Sequence, residues 1–241
     1  MVRIRSKLVF TVLISAFLAV FWIANVVPAS AVCPSGTHNV KFTGGQQNVS
    51  SVQGVSALLT SYNPSPVYEV TSFWVMLHKN GSLNDYGQVG WIKFPSYQNE
   101  YVYCEFNIGG AWARLFYNQQ NNNWQVDQPS TIPASIEGYF VTYTPGQLTV
   151  QYDNGYQLPF YCPWVPDNVE VYGETQNYGA ANAGDHMPGD SVNKVLANTI
   201  MKKVNGSWSW ASLAMIKQGW GNYDTSGATH GFYIWDTRNC N

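Results

Sequence analysis

The sequence predicts an all-β protein, and more specifically an antiparallel β-sandwich of two sheets. Of its 241 residues 15% are aromatic and only 11% are charged, a balance that favours a packed core over disorder. Short runs rich in Val, Ile, Thr, Tyr, Phe and Trp are separated by turn signals such as Asn80-Gly81, Pro145-Gly146 and Asn205-Gly206. Regular short strands with frequent turns are typical of a sandwich.

Seven runs are predicted to be strands: residues 73–77, 88–94, 101–106, 139–144, 147–151, 157–161 and 169–172. Residues 191–201 are ambiguous, because their apolar positions also have a helix-like spacing. Alternatively, residues 195–202 and 207–216 form a hairpin around a type I′ turn at Asn205-Gly206. Residues 118–125 are rich in Asn and Gln and are predicted to form a long exposed turn.

Residues 1–31 have the anatomy of a secretory signal peptide. Three basic residues are followed by an apolar run over residues 8–23 and by the small-x-small ending Ala29-Ser30-Ala31. An uncleaved membrane anchor is the alternative, since the apolar run is nearly long enough to cross a bilayer. We expect cleavage, a secreted extracellular protein without stable membrane insertion, and one sandwich domain over residues 32–241.

The charge balance argues against a nucleic-acid partner. The formal net charge is −2, from 12 Lys and Arg against 14 Asp and Glu. The predicted signal peptide holds three of the basic residues and none of the acidic ones, so the remaining chain carries nine against 14, a net −5. No basic run occurs in the body of the chain, and nucleic-acid binders usually have one. We expect an acidic monomer.

The four cysteines are Cys33, Cys104, Cys162 and Cys240. An even count in a chain predicted to be secreted indicates two disulfides, for which three connectivities exist. We favour Cys33–Cys240, which ties the termini, together with Cys104–Cys162 inside the sheet. No CxxC pair is present, so a zinc site is not expected.

Common hydrolytic and metal-binding signatures are absent from the sequence. It contains no GxSxG, no HExxH and no Walker loop, and its four histidines are scattered. The pair Asp185-His186 is interpreted as part of an exposed polar loop. We therefore expect neither a metal ion nor a cofactor.

The residues with the most chemical interest are Gln88, in an otherwise apolar strand, and the glutamates Glu170 and Glu174. Residues four apart on a strand point to the same face, about 13 Å apart at ~3.3 Å per residue. That separation is too large for a direct carboxylate pair. We therefore expect the glutamates to belong to one groove, with Glu174 facing a partner on another strand.

Several segments together resemble the eqolisin glutamic peptidases. They are Trp74-Val75, Gln88-x-Gly90 and Glu170-Val-Tyr-Gly-Glu174, together with Tyr101-Val-Tyr-Cys-Glu-Phe106 and Ser51-Val-Gln-Gly54. They follow the family's order over about residues 51–178. A more distant likeness to the neprosin-type glutamic peptidases lies in Gly90-Trp91 and Tyr172-Gly173-Glu174. Those enzymes carry Glu where this chain has Gln88.

The resemblance implies a sandwich of two long, bent antiparallel sheets with a groove on one face. It further implies a catalytic pair, Gln88 and Glu174, that hydrolyses peptide or protein substrates through an activated water at acidic pH. On this interpretation a set of mostly aromatic side chains binds the substrate. They are Trp74, Trp91, Tyr101, Tyr103, Glu170 and Tyr172.

Three other functions fit the residues. A carbohydrate-binding module would stack the rings of a polysaccharide on tryptophans. The candidates are Trp112, Trp124, Trp164, Trp208, Trp210 and Trp220. A glycoside hydrolase would use two carboxyl groups about 5–9 Å apart, for instance those of Glu105 and Glu174. The last alternative is a secreted structural or interaction protein without chemistry.

Overall fold

The structure, a computed structural model, describes residues 40–64, 69–82, 84–126, 135–176 and 185–238. The predicted signal peptide, Cys33 and Cys240 lie outside these residues, so their predictions are untested. All regular structure in the described segments is β-strand. Among the same residues no helix has the length and apolar character that a membrane span requires.

Sixteen strands follow one another along the described chain. They are β1 (Lys41–Asn48), β2 (Val52–Thr60), β3 (Val70–His78), β4 (Asp85–Lys93), β5 (Tyr101–Ile108), β6 (Ala111–Asn118), β7 (Asn123–Gln125), β8 (Ile136–Thr144), β9 (Gln147–Tyr152), β10 (Leu158–Tyr161), β11 (Asn168–Gln176), β12 (Val195–Val204), β13 (Ser207–Trp210), β14 (Ala214–Lys217), β15 (Gly221–Asp224) and β16 (Phe232–Asp236).

The strands form two antiparallel sheets of eight strands each. The first sheet has the order β14-β1-β11-β3-β4-β5-β6-β7, and the second has the order β10-β9-β8-β2-β12-β16-β15 with β13 added beside β12. The two sheets pack face to face as a β-sandwich. The predicted fold class is therefore confirmed.

The core between the sheets follows from the two-residue period of the strands. On β3, Phe73, Val75 and Leu77 point inward and are fully buried. They join a large cluster that includes Val55 and Leu59 from β2 of the second sheet. Burial of these apolar side chains is the main force that holds the sheets together.

The opposite, outer face of the first sheet is also partly apolar. A second, smaller cluster there contains Trp74 and Met76 from β3, Tyr103 from β5 and Tyr172 from β11. Strand β3 is thus buried on both faces, which explains the unbroken apolar run over residues 73–77. The polar side chains of the groove described below lie on this outer face.

Of the ambiguous residues 191–201, residues 195–201 belong to strand β12 of a hairpin and none is helical. Of the predicted second strand, 207–216, only Ser207–Trp210 pairs with β12, because Ala214–Lys217 pairs with β1 of the first sheet. Strands β12 and β13 pair from Val204↔Ser207 to Met201↔Trp210. Asn205 and Gly206, with φ of 49° and 78°, occupy the two central positions, as a type I′ turn requires. The helical interpretation is therefore wrong. In the Asn-rich segment, the turn is short and Trp124 on β7 is buried.

Two other sequence expectations need correction. Cys104 and Cys162 are free, buried thiols, so the predicted bond between them is absent. They belong to opposite sheets, and the thiol of Cys162, just after β10, donates to the carbonyl of Trp164 at 3.2 Å. Asp185 and His186 are also buried, at 2% and 1% exposure, and do not form an exposed loop. The Asp185 carboxylate accepts the backbone N–H of Val70 at 2.8 Å, at the start of β3.

Gly90 on β4 lies where two strands approach closely. It pairs with Trp74 on β3 and with Tyr103 on β5. A Cβ atom at Gly90 would lie 2.0 Å from the carbonyl oxygen of Phe73, which is a backbone atom and cannot rotate away.

We therefore expect Gly90→Ala to lower the free energy of unfolding by about 2–3 kcal/mol, since overpacking that forces a backbone shift costs this much. Urea unfolding followed by circular dichroism measures the change. A loss below about 0.5 kcal/mol would contradict the close approach of β3 and β4.

Candidate functional site

The outer face of the first sheet carries an open groove of about 750 Å³. Strands β1, β3, β4, β5, β6, β11 and β14 contribute its walls. The lining residues are Val40, Phe42, Gln46, Trp74, Met76, His78, Tyr86, Gln88, Glu105, Trp112, Arg114, Glu170, Tyr172, Glu174, Gln176, Ile216 and Gln218. Both halves of the predicted catalytic pair, Gln88 and Glu174, therefore lie in one groove.

Glu174 is a carboxyl group that is only 5% exposed at the groove wall. The pairing of β11 with β3 places Glu174 opposite Ser72 and beside Trp74. The Trp74 Nε1–H donates to Oε2 at 2.7 Å and the Ser72 hydroxyl donates to the same oxygen at 3.4 Å. The Gln176 amide donates to Oε1 at 2.6 Å.

Burial is the largest influence on the pKa of Glu174 and raises it above its ordinary value of 4.5. The hydrogen bonds from Gln176 and Trp74 act in the opposite direction, and the nearby negative charge of Glu105 adds to the rise. A carboxyl group of this kind can hold a proton at mildly acidic pH and release it to a neighbour. That property is the one that a general acid and base needs.

The side-chain amide of Gln88 forms a hydrogen bond with a buried residue beneath the groove surface. Its Nε2–H donates to the hydroxyl of Tyr103 at 2.9 Å. Tyr103 lies on β5 opposite Gly90 and is only 1% exposed. In the cross-strand register, Gln88 on β4 pairs with Met76 on β3, and Met76 pairs with Glu170 on β11. Glu174 is four residues further along β11, so it lies diagonally across the sheet from Gln88.

Glu105 forms an ion pair inside the groove. It lies directly between Gln88 on β4 and Arg114 on β6 in the cross-strand register. Arg114 donates to Glu105 Oε2 through Nε at 2.9 Å and through a terminal nitrogen at 2.6 Å. The hydroxyl of Tyr86 donates to Oε1 at 2.6 Å. Both carboxylate oxygens are thus occupied, which disfavours Glu105 as a glycosidase acid or base.

A second charged pair lies at the β3–β11 end of the groove. His78 Nδ1 and Glu170 Oε1 are 3.1 Å apart, and the Asn168 amide donates to the same oxygen at 2.7 Å. Burial opposes a charge on His78, but its hydrogen bonds with Glu170 and with the carbonyl of Ser82 raise the pKa above 6.5. The protonated form of His78 is therefore favoured beside the Glu170 carboxyl group.

Three of the predicted substrate-binding residues line the groove, and three do not. Trp74, Glu170 and Tyr172 belong to its wall. Trp91 points to the opposite face, into the core between the sheets, where its indole N–H donates to the carbonyl of Thr60. Tyr103 is buried behind the groove. Tyr101 packs against Tyr97 and is not part of the lining.

Sequence reasoning missed most of the polar groove residues. Arg114 and Trp112 share a face of β6 because they are two residues apart, and the guanidinium lies 5.1 Å from the Trp112 ring centroid. A charged residue within the run Ala-Trp-Ala-Arg-Leu-Phe-Tyr was the available signal. In the described part of the chain, no cluster of three or more His, Cys, Asp or Glu could hold a metal ion.

The fold is similar to that of glutamic peptidases of known structure. Scytalidoglutamic peptidase, solved with a peptide-based transition-state analogue, aligns with a TM-score of 0.55 and 12% identity over 83% of this chain and 100% of that chain. SCP-B, an eqolisin solved with the tripeptide Ala-Ile-His, aligns with a TM-score of 0.54 and the same identity and coverage. At this identity the likeness is one of fold. No protein-family model and no curated protein sequence matches the chain.

The groups with raised pKa values predict that stability falls as the pH rises from about 5 to 7.5. The pKa values of Glu174 and Glu100 are raised mainly by burial, so the folded state holds protons that the unfolded state releases above pH 4.5. The raised pKa of His78 acts in the same direction, because its contribution is full below about pH 6.5 and is lost as pH rises through the folded value.

We therefore expect the melting temperature to fall by a few degrees between about pH 5 and pH 7.5. In Glu174→Gln, which cannot titrate at this position, the fall should be smaller. Differential scanning calorimetry measures both. A melting temperature that rises over this range in the wild type would contradict the assigned directions.

Proposed function

We propose that this protein is a secreted glutamic endopeptidase that hydrolyses peptide bonds at acidic pH through Gln88 and Glu174. The observation that supports the proposal most is that both side chains line one groove. The groove is open and runs across several strands, which suits an extended peptide. The fold shared with glutamic peptidases is consistent with this activity.

The reaction needs one group that moves a proton and one that stabilises negative charge. In its ionised form, Glu174 takes a proton from a water molecule that attacks the scissile carbonyl carbon. An N–H of the Gln88 amide donates to the oxyanion that forms on that carbonyl. Glu174 then gives its proton to the leaving amine as the C–N bond breaks.

The surroundings of both groups match these roles. Burial beside the partly apolar wall built by Trp74, Tyr172 and Phe42 raises the pKa of Glu174 above 4.5, so the carboxyl group can take up a proton and then release it, as the reaction requires. The Gln88 amide does not titrate, and its second N–H remains available to the groove after the first has bonded to Tyr103. Glu105 pairs with Arg114 and Glu170 pairs with His78, so each of these two carboxyl groups has a basic partner in the groove.

A second candidate function is polysaccharide binding. Four of the six tryptophans considered above have exposed side chains, namely Trp112, Trp208, Trp210 and Trp220, whereas Trp124 and Trp164 are buried. Trp112 is 53% exposed and lines the groove, so its ring could stack on a sugar. Intrinsic fluorescence with Trp112→Ala as the comparison tests this alternative. A saturable change with oligosaccharides, lost in the variant, would support it.

Digestion of a denatured protein at about pH 3–5 tests the peptidase. Glu174→Gln removes the proton-transfer group and should lower the rate at least about 100-fold. Gln88→Ala removes an oxyanion donor and should lower it by about 100-fold or more. Mass spectrometry of the products should show cleavage within the chain, as expected of an endopeptidase.

Glu137→Gln is the matched control, because Glu137 is another carboxyl group with a raised pKa but lies on β8 of the second sheet. It should cleave at the wild-type rate. Equal rates for the wild type and Glu174→Gln, or no cleavage by the wild type over this pH range, would refute the proposed function.

A further inference from the structure

The β1–β11 end of the groove holds a second polar site, which takes no chemical step in the proposed reaction. In the cross-strand register Gln46 on β1 pairs with Glu170 on β11, and Glu170 pairs with Met76 on β3. All three side chains line the groove, as does that of His78, two residues further along β3. Glu170 is two strands from Gln88 on β4, which is about 10 Å at ~4.8 Å per strand.

Glu170 is held through only one of its two carboxyl oxygens. Oε1 lies 3.1 Å from Nδ1 of His78 and accepts an N–H of the Asn168 amide at 2.7 Å. Oε2 makes no hydrogen bond to any residue that the structure describes, and neither does the side-chain amide of Gln46 on the neighbouring strand. The carboxyl group is thus fixed in place, while Oε2 and the Gln46 amide remain available to a molecule in the groove.

The contacts of the His78 ring determine how many protons this site holds. Nε2 contacts the carbonyl oxygen of Ser82, and Nδ1 contacts the Glu170 carboxyl group. A carbonyl oxygen has no proton to offer, so Nε2 must carry one and donate it. The contact between Nδ1 and Oε1 also needs one proton, on the ring or on the carboxyl group, because two lone pairs at this distance would repel each other. The observed arrangement therefore contains two protons.

The charge of the His78–Glu170 pair follows from this proton count. With both protons the pair is neutral, whether the second proton lies on Nδ1 or on Oε1. Loss of that proton leaves a neutral imidazole and a carboxylate, so the pair then carries a charge of −1. Burial lowers the pKa of His78, but its hydrogen bonds with Glu170 and with the Ser82 carbonyl raise it above 6.5. The pair therefore changes from neutral to negative above this pH.

We propose that Gln46, Glu170 and His78 form a subsite for one substrate side chain, the Glu170 subsite, whose charge preference changes when the His78–Glu170 pair loses its shared proton. In the neutral state the subsite accepts an uncharged side chain, for which Oε2 and the Gln46 amide are hydrogen-bond partners. In the negative state it favours Lys or Arg, whose cationic group donates to Oε2. The assignment to a peptide rests on the proposed function, whereas the titration is a property of the folded chain.

The surroundings of the Glu170 subsite suit a long basic side chain. Met76 and Tyr172 line the groove beside Glu170, so the aliphatic part of a Lys or Arg side chain has apolar surface to lie against. An extended peptide advances ~3.3 Å per residue. The distance of about 10 Å from Gln88 therefore places the recognised residue within about three residues of the scissile bond.

Five other ionisable side chains lie on the elements around the His78–Glu170 pair. They are Lys79, Asp85, Tyr86, Asp167 and Glu174. Asp85 accepts from the Ser82 hydroxyl at 2.7 Å, and the Tyr86 hydroxyl donates to Glu105 at 2.6 Å. Asp167 accepts the backbone N–H of Asn80 at 2.6 Å, and Glu174 is four residues further along β11. Within the described ranges none of these five side chains bonds to the side chain of His78 or Glu170, so the shared proton belongs to that pair.

Nuclear magnetic resonance of the full folded chain tests the shared proton. The ring signals of His78, assigned by their loss in His78→Asn, should titrate in the wild type with a midpoint above 6.5. In Glu170→Gln, whose amide carries no negative charge, the midpoint should be lower. His230→Asn is the matched control, because His230 stacks on Trp210 of β13 and does not line the groove, and it should leave the His78 midpoint unchanged. Equal His78 midpoints in the wild type and Glu170→Gln would overturn the proposal.

Peptide binding to Glu174→Gln, in which cleavage is removed, tests the change in preference. The probes are short peptides with blocked ends and no other charge, in which a single Lys, or Met in the matched set, occupies successive positions. At one position the affinity for Lys relative to Met, measured by calorimetry, should rise about 3- to 10-fold between about pH 5.5 and about pH 8.5, as expected of a partly buried ion pair. With Glu170→Gln added there should be no rise. With His78→Asn added instead, whose amide nitrogen replaces Nδ1 and does not titrate, the Lys preference should be present at both pH values.

The same peptides separate the failure of the Glu170 subsite from the failure of the proposed function. A Lys preference that does not change with pH at any position, or that changes equally with and without Glu170, would overturn the subsite and leave the peptidase intact if the wild type cleaves these peptides. A Lys preference that changes with pH and depends on Glu170, in a wild type that cleaves no peptide, would refute the peptidase and retain the subsite.

Discussion

The site depends on one constraint, which is the burial of the Glu174 carboxyl group among the side chains on the outer face of the first sheet. A buried carboxylate is unfavourable unless it accepts hydrogen bonds, and Glu174 accepts them from Trp74, Ser72 and Gln176. Ser72 and Trp74 are available because β11 pairs with β3 in one register, and Gln176 lies two residues further along β11 itself. A slip by one residue would turn Glu174 into the core between the sheets.

The same constraint accounts for the chemistry that the groove can support. Three neutral donors stabilise the ionised form less than a full opposite charge would, so burial still raises the pKa of Glu174. Arg114, the arginine that lines the groove, forms its ion pair with Glu105 on β5, two strands away from β3. Glu174 therefore keeps a proton that it can exchange with water or with a leaving amine.

The sandwich could be predicted from sequence because alternating runs and turn signals are local properties. The groove could be predicted only in part. Strands β3 and β4 are buried on both faces, so their sequences do not reveal which face Trp74 or Trp91 occupies. The pairing of Glu105 with Arg114 depends on the register that the Gly109-Gly110 turn sets between β5 and β6. That register is a feature of the folded hairpin.

The pKa of the Glu174 carboxyl group is the most direct test of the account as a whole. Difference infrared spectroscopy of the wild type against Glu174→Gln isolates the carboxyl band of this one residue as the pH is changed. The account predicts that the protonated band persists above pH 4.5, the ordinary value for a glutamate. Titration at or below that value would contradict a buried general acid and base at this position.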